Sequence, residues 1–289
     1  MFANYDDVRS AFPEFDIELP ELGVGGFKTA FKIRGNDGAQ VLKVLHEPLP
    51  QNEAEQTDEL TLPDRFAREI VGMQRISSPH VVQLLQEPST RFIGNELYIW
   101  YVEPYYGGGT LQDRIVPGGD PVGAKELLVA LLRAVRSMWN DARIVHRDIK
   151  PGNIVYDEDN IPVLLDLGIA YHDELSPITA SMDISPRTPR YAAPEQFLQR
   201  RNVQIDFRTD LFLVGMVCLE VLTGTHPFWV PGIDANSYVR RLESFDPSML
   251  EPISCHASMK QVISRLLAAR PSRRYRNVET PLVILGAET

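Results

Sequence analysis

Two short stretches carry the residue types that phosphate chemistry requires. Residues 146–153 read His146-Arg147-Asp148-Ile149-Lys150-Pro151-Gly152-Asn153, and further on stands Asp166-Leu167-Gly168. Asp148 offers a carboxylate able to accept a hydroxyl proton. Asn153 and Asp166 offer hard oxygen donors of the kind that hold Mg2+. A proton acceptor beside two such donors is the set that phosphoryl transfer calls on. Each triplet alone is a weak signal, because short matches arise by chance.

The surrounding pattern supplies the elements that must position them. Residues 154–156 and 163–165 are short apolar runs flanking Asp157-Glu158-Asp159-Asn160, so they are expected to form a hairpin that brings Asn153 and Asp166 together. The first third reads mostly as strands: a glycine-punctuated strand–turn–strand over 22–33, a strand over 41–45 interrupted by Lys43, and strands over 81–85 and 97–102. One helix is expected there, with Phe66, Ile70, Met73 and Ile76 on a common face. Residues 48–64 are polar, acidic and bounded by prolines, which predicts a loop. A Pro- and Gly-rich break over 103–109 reads as a hinge. Beyond it helices dominate, since Leu127, Leu128, Leu131, Leu132, Val135 and Met138 recur at helical spacing, as do Met259, Val262, Ile263, Leu266 and Leu267. The run 211–222 is apolar on every side but carries Glu220 and is too short to span a bilayer, so it predicts a buried helix.

Composition narrows the function classes. The chain has 289 residues and a hydrophobic fraction of 44%, enough for a full core in one large domain or two lobes. Its formal net charge of −10 argues against a sequence-independent grip on nucleic acid or anionic lipid. The two cysteines, Cys218 and Cys255, are 37 residues apart (255 − 218) and make no metal-binding spacing, so a reducing, cytoplasmic setting is expected. His46, His80, His172, His226 and His256 show no ligand spacing with cysteines or carboxylates, so no zinc site is expected.

With these residues in place, the chain resembles the eukaryotic-type serine/threonine protein kinases, and the resemblance runs almost end to end. It implies an α+β, bilobal fold: a β-rich N-lobe with one key helix over 1–102, a hinge over 103–109, and a helical C-lobe over 110–289. The resemblance makes Leu22-Gly23-Val24-Gly25-Gly26 the glycine-rich loop, whose backbone N–H groups approach phosphates without Cβ interference. It makes Lys43 the lysine on the α- and β-phosphates, and Glu69 its helix partner. Asp148 becomes the catalytic base, Lys150 a γ-phosphate contact, and Asn153 and Asp166 the Mg2+ ligands. Ala30 and Val41 are placed over the adenine, with backbone near Glu103 and Tyr105 bonding to it. Ala193-Pro194-Glu195 closes the activation segment, Glu195 is paired with Arg274, and Asp210 anchors the catalytic loop from below. The implied cofactors are ATP and Mg2+, and the implied partners are protein substrates. Lys150 and the run Thr188-Pro189-Arg190-Tyr191 favour serine or threonine over tyrosine as acceptor.

Three positions depart from the family pattern. Lys28 stands at the third glycine position, Leu167 replaces a phenylalanine, and Ala30 with Val41 inverts the usual valine and alanine pair. Autophosphorylation is expected at Thr179, Ser181 or Ser185. The resemblance consumes most of the sequence, so regulation is expected from that segment, from the 48–64 loop, or from a separate regulatory protein. Two rival readings remain: a nucleotide-binding pseudokinase scaffold, and a kinase-fold enzyme acting on a non-protein acceptor. Lys43, Asp148 and Asp166 are all present, which weighs against the first. Acidic composition weighs against an RNA acceptor.

Overall fold

The computed structural model describes residues 5–25, 28–35, 38–49, 73–166, 190–197 and 205–287. By internal contacts the chain divides into two units. The first comprises Met1–Arg75 and Val82–Tyr106, the second Ile76–Val81 and Gly107–Thr289.

The first unit is built on strict alternation. Its described strands are Asp16–Ile17 (β1), Gly23–Val24 (β2), Lys28–Gly35 (β3), Gly38–Leu45 (β4), Ser89–Ile93 (β5) and Glu96–Pro104 (β6). They form one antiparallel sheet in the order β1-β3-β4-β6-β5, with β2 also paired to β3. In β3, Thr29, Phe31 and Ile33 are buried while Lys28, Ala30 and Lys32 are half-exposed, which is the period of two expected of a strand with one face on a core. Phe31, Ile33, Leu42, Val44, Trp100 and Val102 meet on that face. The helix Tyr5–Ala11 (α1) covers it, burying Val8, and Phe12 just beyond lies edge-on to Trp100 at 5.1 Å between ring centroids. Arg91 locks this cover down. Its guanidinium lies 4.7 Å from the Phe12 ring centre and 5.0 Å from that of Trp100, and it also pairs with Glu14.

Two sequence expectations are corrected here. Residues 81–85 are not a strand: Val81 makes one isolated bridge to Leu164, and Leu85 gives a single N–H to the Val102 carbonyl at 2.9 Å. Val81 and Val82 are apolar because they are buried, not because they pair in a sheet. The neighbouring strand is instead β5, joined to β6 by Gly94-Asn95, with Gly94 at φ 61. A Gly-Asn pair between apolar runs is a hairpin signal that the sequence did carry. β6 also runs to Pro104, two residues into the expected hinge; a proline at a strand end gives up no ladder donor in the interior. The key helix expected around residue 69 lies almost wholly outside the described residues.

The second unit is helical. Described elements are Leu111–Arg114 (α2), Ala124–Ala142 (α3), Phe207–Thr223 (α4), Ala235–Glu243 (α5), Ala257–Leu266 (α6) and Glu279–Ile284 (α7), with the two-stranded hairpin Ile154–Tyr156 (β7) and Pro162–Leu164 (β8). Helix α3 buries Leu127, Leu128, Leu131, Leu132, Val135 and Met138 along one face. Helix α4 is buried on nearly every side. Asp206 caps it by accepting from the Arg208 N–H at 2.9 Å, and Gly224 ends it at φ 73. A Cβ on Gly224 would fall 2.2 Å from the Val116 carbonyl oxygen, so glycine there is a steric as well as a conformational requirement. The result is the α+β arrangement expected from the resemblance, with a β-rich first unit and a helical second one.

Candidate active site

The loop 146–153 is folded around Asp148. Lys150 Nζ lies 2.7 Å from Asp148 Oδ2, and Asn153 Nδ2 donates to both Asp148 Oδ2 and the Asp148 carbonyl at 2.9 Å. These bonds spend the amide hydrogens of Asn153 and leave its Oδ1 as the acceptor of that side chain. His146 is fully buried. Its Nε2–H donates to the Leu165 carbonyl at 2.8 Å, and its Nδ1 accepts from the Asp148 N–H at 3.2 Å. Burial holds the imidazole below its ordinary pKa, which keeps it neutral and in that tautomer. His146 therefore shapes the loop rather than moving protons.

Hairpin geometry joins the two halves of the site in this unit. Ile154 pairs with Leu164, and the Leu165 N–H donates to the Asn153 carbonyl at 2.8 Å, which sets Asp166 beside Asn153 at the open end. Arg147 and Asp166 both take left-handed backbone, at φ 66 and 57. Such positions cost about 1–3 kcal/mol each and persist only where surrounding bonds impose them. An amide oxygen and a carboxylate at one hairpin end are the hard donors that suit Mg2+.

Asp210 imposes the strain at Arg147. From the first turn of α4 its Oδ2 accepts the His146 N–H and its Oδ1 the Arg147 N–H, each at 2.8 Å. Burial pushes its pKa up to about 7, against the two N–H bonds that favour the anion. Gln196 makes a second tie: it donates from Nε2 to the Arg147 carbonyl at 3.0 Å and accepts the Ala193 N–H at 2.8 Å. The neighbouring Glu195 is held by Arg274 through Nη1–Oε1 at 2.5 Å and Nη2–Oε2 at 2.9 Å, and by Thr209 at 2.8 Å. The Glu195–Arg274 pair that the resemblance implied is thus present.

In the first unit, Leu22, Gly23 and Gly25 form the described part of a hairpin. Leu22 N–H donates to the Ala30 carbonyl and Gly25 N–H to the Lys28 carbonyl, both at 2.9 Å. Ala30 lies directly across from Lys43, and Val41 across from Glu103. Lys43 is buried, with Nζ 2.6 Å from Glu103 Oε2. Lys28, the cation at the third glycine position, reaches the Tyr101 hydroxyl at 3.3 Å. Tyr105 lies under Lys32 Nζ, 4.7 Å from its ring centre. Gly26, Glu69, Leu167, Gly168, Thr179, Ser181, Ser185 and Thr188 lie outside the described residues.

Sequence reading did not anticipate the side-chain role of Glu103, the bridging role of Gln196, or a cavity of about 640 Å3 in the second unit. Arg190, Tyr191, Glu220, His226, Trp229 and Arg241 are among the residues lining it. Tyr191 donates its hydroxyl proton to Glu220 Oε2 at 2.6 Å, and burial of the ring raises the phenol pKa further. Glu220 stood out in the sequence as the lone charge in an apolar helix, which was the available clue.

The sequence matches the family described as protein kinase domain over residues 17–280. It is 31% identical to the DNA damage-responsive serine/threonine-protein kinase RqkA of Deinococcus radiodurans, over 89% of this chain and 37% of that protein. It is 28% identical to a probable serine/threonine-protein kinase of Clostridium acetobutylicum, again over 89% of this chain and 37% of that protein. The chain therefore spans little more than a third of the length of these relatives. Among solved structures, Rad53 1-466 in complex with AMP-PNP aligns with a TM-score of 0.67 at 20% identity, over 94% of this chain and 64% of that one. That likeness bears on fold alone.

Proposed function

Because the chain belongs to the protein kinase family, we propose that it transfers the γ-phosphate of Mg-ATP to serine or threonine hydroxyls of proteins. The observation that carries this is the bonding around Asp148. Lys150 and Asn153 both bond to its Oδ2, so Oδ1 is the oxygen these bonds leave to accept from an incoming hydroxyl. Asp148 orients that hydroxyl and takes its proton. Lys150 offsets charge on the γ-phosphate, the electrostatic work that dominates this chemistry, and the family reading gives Lys43 the α- and β-phosphates. Asn153 Oδ1 and the Asp166 carboxylate would hold Mg2+, which when bound neutralises phosphate oxygens.

The cavity beside Tyr191 supports a protein acceptor, since it adjoins the segment that Gln196 ties to the catalytic loop. Control by phosphate at Thr179, Ser181 or Ser185, or by a separate regulatory protein, belongs to the same reading. So does a cytoplasmic site of action, for which the unpaired Cys218 and Cys255 are the support. Purified protein and its Asp148→Asn variant, incubated with Mg2+, labelled ATP and a generic protein acceptor, test the proposal. Phosphoserine or phosphothreonine from the wild type alone is the expected result. Equal transfer by both proteins would overturn it.

A further inference from the structure

The sheet register places an acid where a phosphate-binding face would be expected to carry cations alone. Phe31, Leu42, Val44, Trp100 and Val102 point to the core side of β3, β4 and β6. Residues of the opposite parity therefore share the other face: Lys28, Ala30 and Lys32 from β3, Val41 and Lys43 from β4, Tyr101 and Glu103 from β6. Among the described residues of these three strands, Glu103 is the one acid on that face. Lys43 stands opposite Tyr101 and Val41 opposite Glu103, so Lys43 and Glu103 are diagonal neighbours, a separation that two long side chains can close. They do close it, at 2.6 Å between Nζ and Oε2, with Lys43 4% and Glu103 2% exposed.

We propose that Glu103 is a positioning residue that acts through Lys43, holding its ammonium before nucleotide arrives and setting how tightly the triphosphate is bound. The inference rests on the kinase reading of Lys43. A buried lysine without a counter-charge carries a large desolvation penalty, and Glu103 offsets it. The same carboxylate competes with a phosphate for Nζ and repels the phosphate's own charge. Glu103 thus trades nucleotide affinity for a lysine that is already extended along the sheet. The effect falls on the phosphates, because the carboxylate is bonded to the cation that receives them and carries a charge of their sign.

Glu103→Gln separates the charge from the shape, since the amide oxygen still accepts from Lys43 Nζ. Dissociation constants for ATP and for adenosine would be measured by calorimetry on the wild type, on Glu103→Gln and on Lys43→Met, alongside thermal melts. ATP is expected to bind about tenfold more tightly to Glu103→Gln, a change of about 1.4 kcal/mol, because one like charge is removed from beside the phosphate-binding lysine. Adenosine affinity is expected to stay within about twofold, a change of less than about 0.5 kcal/mol. Glu103→Met, which keeps the side-chain length with an apolar end, repeats the comparison if the glutamine variant melts early. ATP affinity that is unchanged or weaker in both variants would overturn the role of Glu103, as would an equal shift for ATP and adenosine. Wild type that binds neither ligand would overturn the nucleotide reading, and the inference with it. ATP binding by wild type that Lys43→Met leaves intact would remove Lys43 from the phosphates and so end the role given to its partner.

Discussion

Arg274 closes a fork on Glu195 across 79 residues of sequence, with both side chains almost wholly removed from solvent. Arg274 also donates to the carbonyls of Arg208, Ala268 and Ala269 at 2.8–3.0 Å, so its donors are spent on fixed acceptors. Through Glu195 and the adjacent Gln196, this arginine reaches the backbone of the catalytic loop.

Breaking that fork leaves a buried charge without its partner. Arg274→Ala or Glu195→Gln is expected to destabilise the protein by about 3–5 kcal/mol. Urea unfolding followed by tryptophan fluorescence measures it. A loss under 1 kcal/mol for both variants, judged on the scale of exposed pairs, would mean the pair is not buried in solution.

Asp148→Asn removes the proton acceptor and changes little else, because Lys150 and Asn153 still meet an amide oxygen. Turnover is expected to fall by at least about 10²–10⁴-fold, the range for positioned acid–base catalysis. The urea midpoint should move little. Steady-state transfer of labelled phosphate, with unfolding curves on the same samples, checks both halves.

Asp210→Ala should act on stability and rate together. It strips two buried N–H groups, those of His146 and Arg147, of their acceptor. About 1–3 kcal/mol is expected for each group left unsatisfied. The Arg147 backbone then has less reason to stay left-handed, so kcat should drop while the dissociation constant for adenosine holds. Calorimetry and turnover on one preparation separate the effects.

His226 predicts a pH dependence. Its Nε2–H donates to the Arg190 carbonyl at 2.8 Å, and its Nδ1 accepts from the N–H of Trp229 at 2.8 Å and of Phe228 at 3.2 Å. Burial lowers its pKa from an ordinary 6.5 to about 4, with Arg190 and Arg241 adding to the effect and the Arg190 carbonyl opposing it. Between those values the unfolded chain binds the extra proton and the folded chain does not, so stability rises with pH. The contribution is complete above pH 6.5 and is lost as pH falls toward 4, to a total of about 3 kcal/mol at 1.36 kcal/mol per pH unit. Urea unfolding of wild type and His226→Asn between pH 7 and 4 should show the extra acid loss in the wild type alone.

Much of this architecture was legible from spacing. Leu127 to Met138 announced α3, and the residue counts from Asp148 to Asn153 and on to Asp166 announced a loop with a hairpin beside it. These signals are local, and local signals survive in sequence. β5 escaped because Ser89, Thr90 and Arg91 lie on a sheet edge with one face open, where polar residues are tolerated and alternation fades. Residues 81–85 misled for the opposite reason, since burial alone made Val81 and Val82 look like strand. The Lys43–Glu103 contact was hidden because it depends on which residue of β4 faces which residue of β6. A shift of one position would have put Glu103 on the other side of the sheet.

The cover laid down by α1 has a practical consequence for anyone who prepares this protein. The family match begins at residue 17, yet Val8 and Phe12 are fully buried against the sheet that the match contains. A chain trimmed to the matched boundary would uncover Trp100, Tyr98 and Ile93 beside the edge strand β5, which is the combination that makes sheets self-associate. Such a fragment is expected to self-associate, and its silence in an assay would say nothing about catalysis. For this molecule, the choice of first residue is a solubility decision.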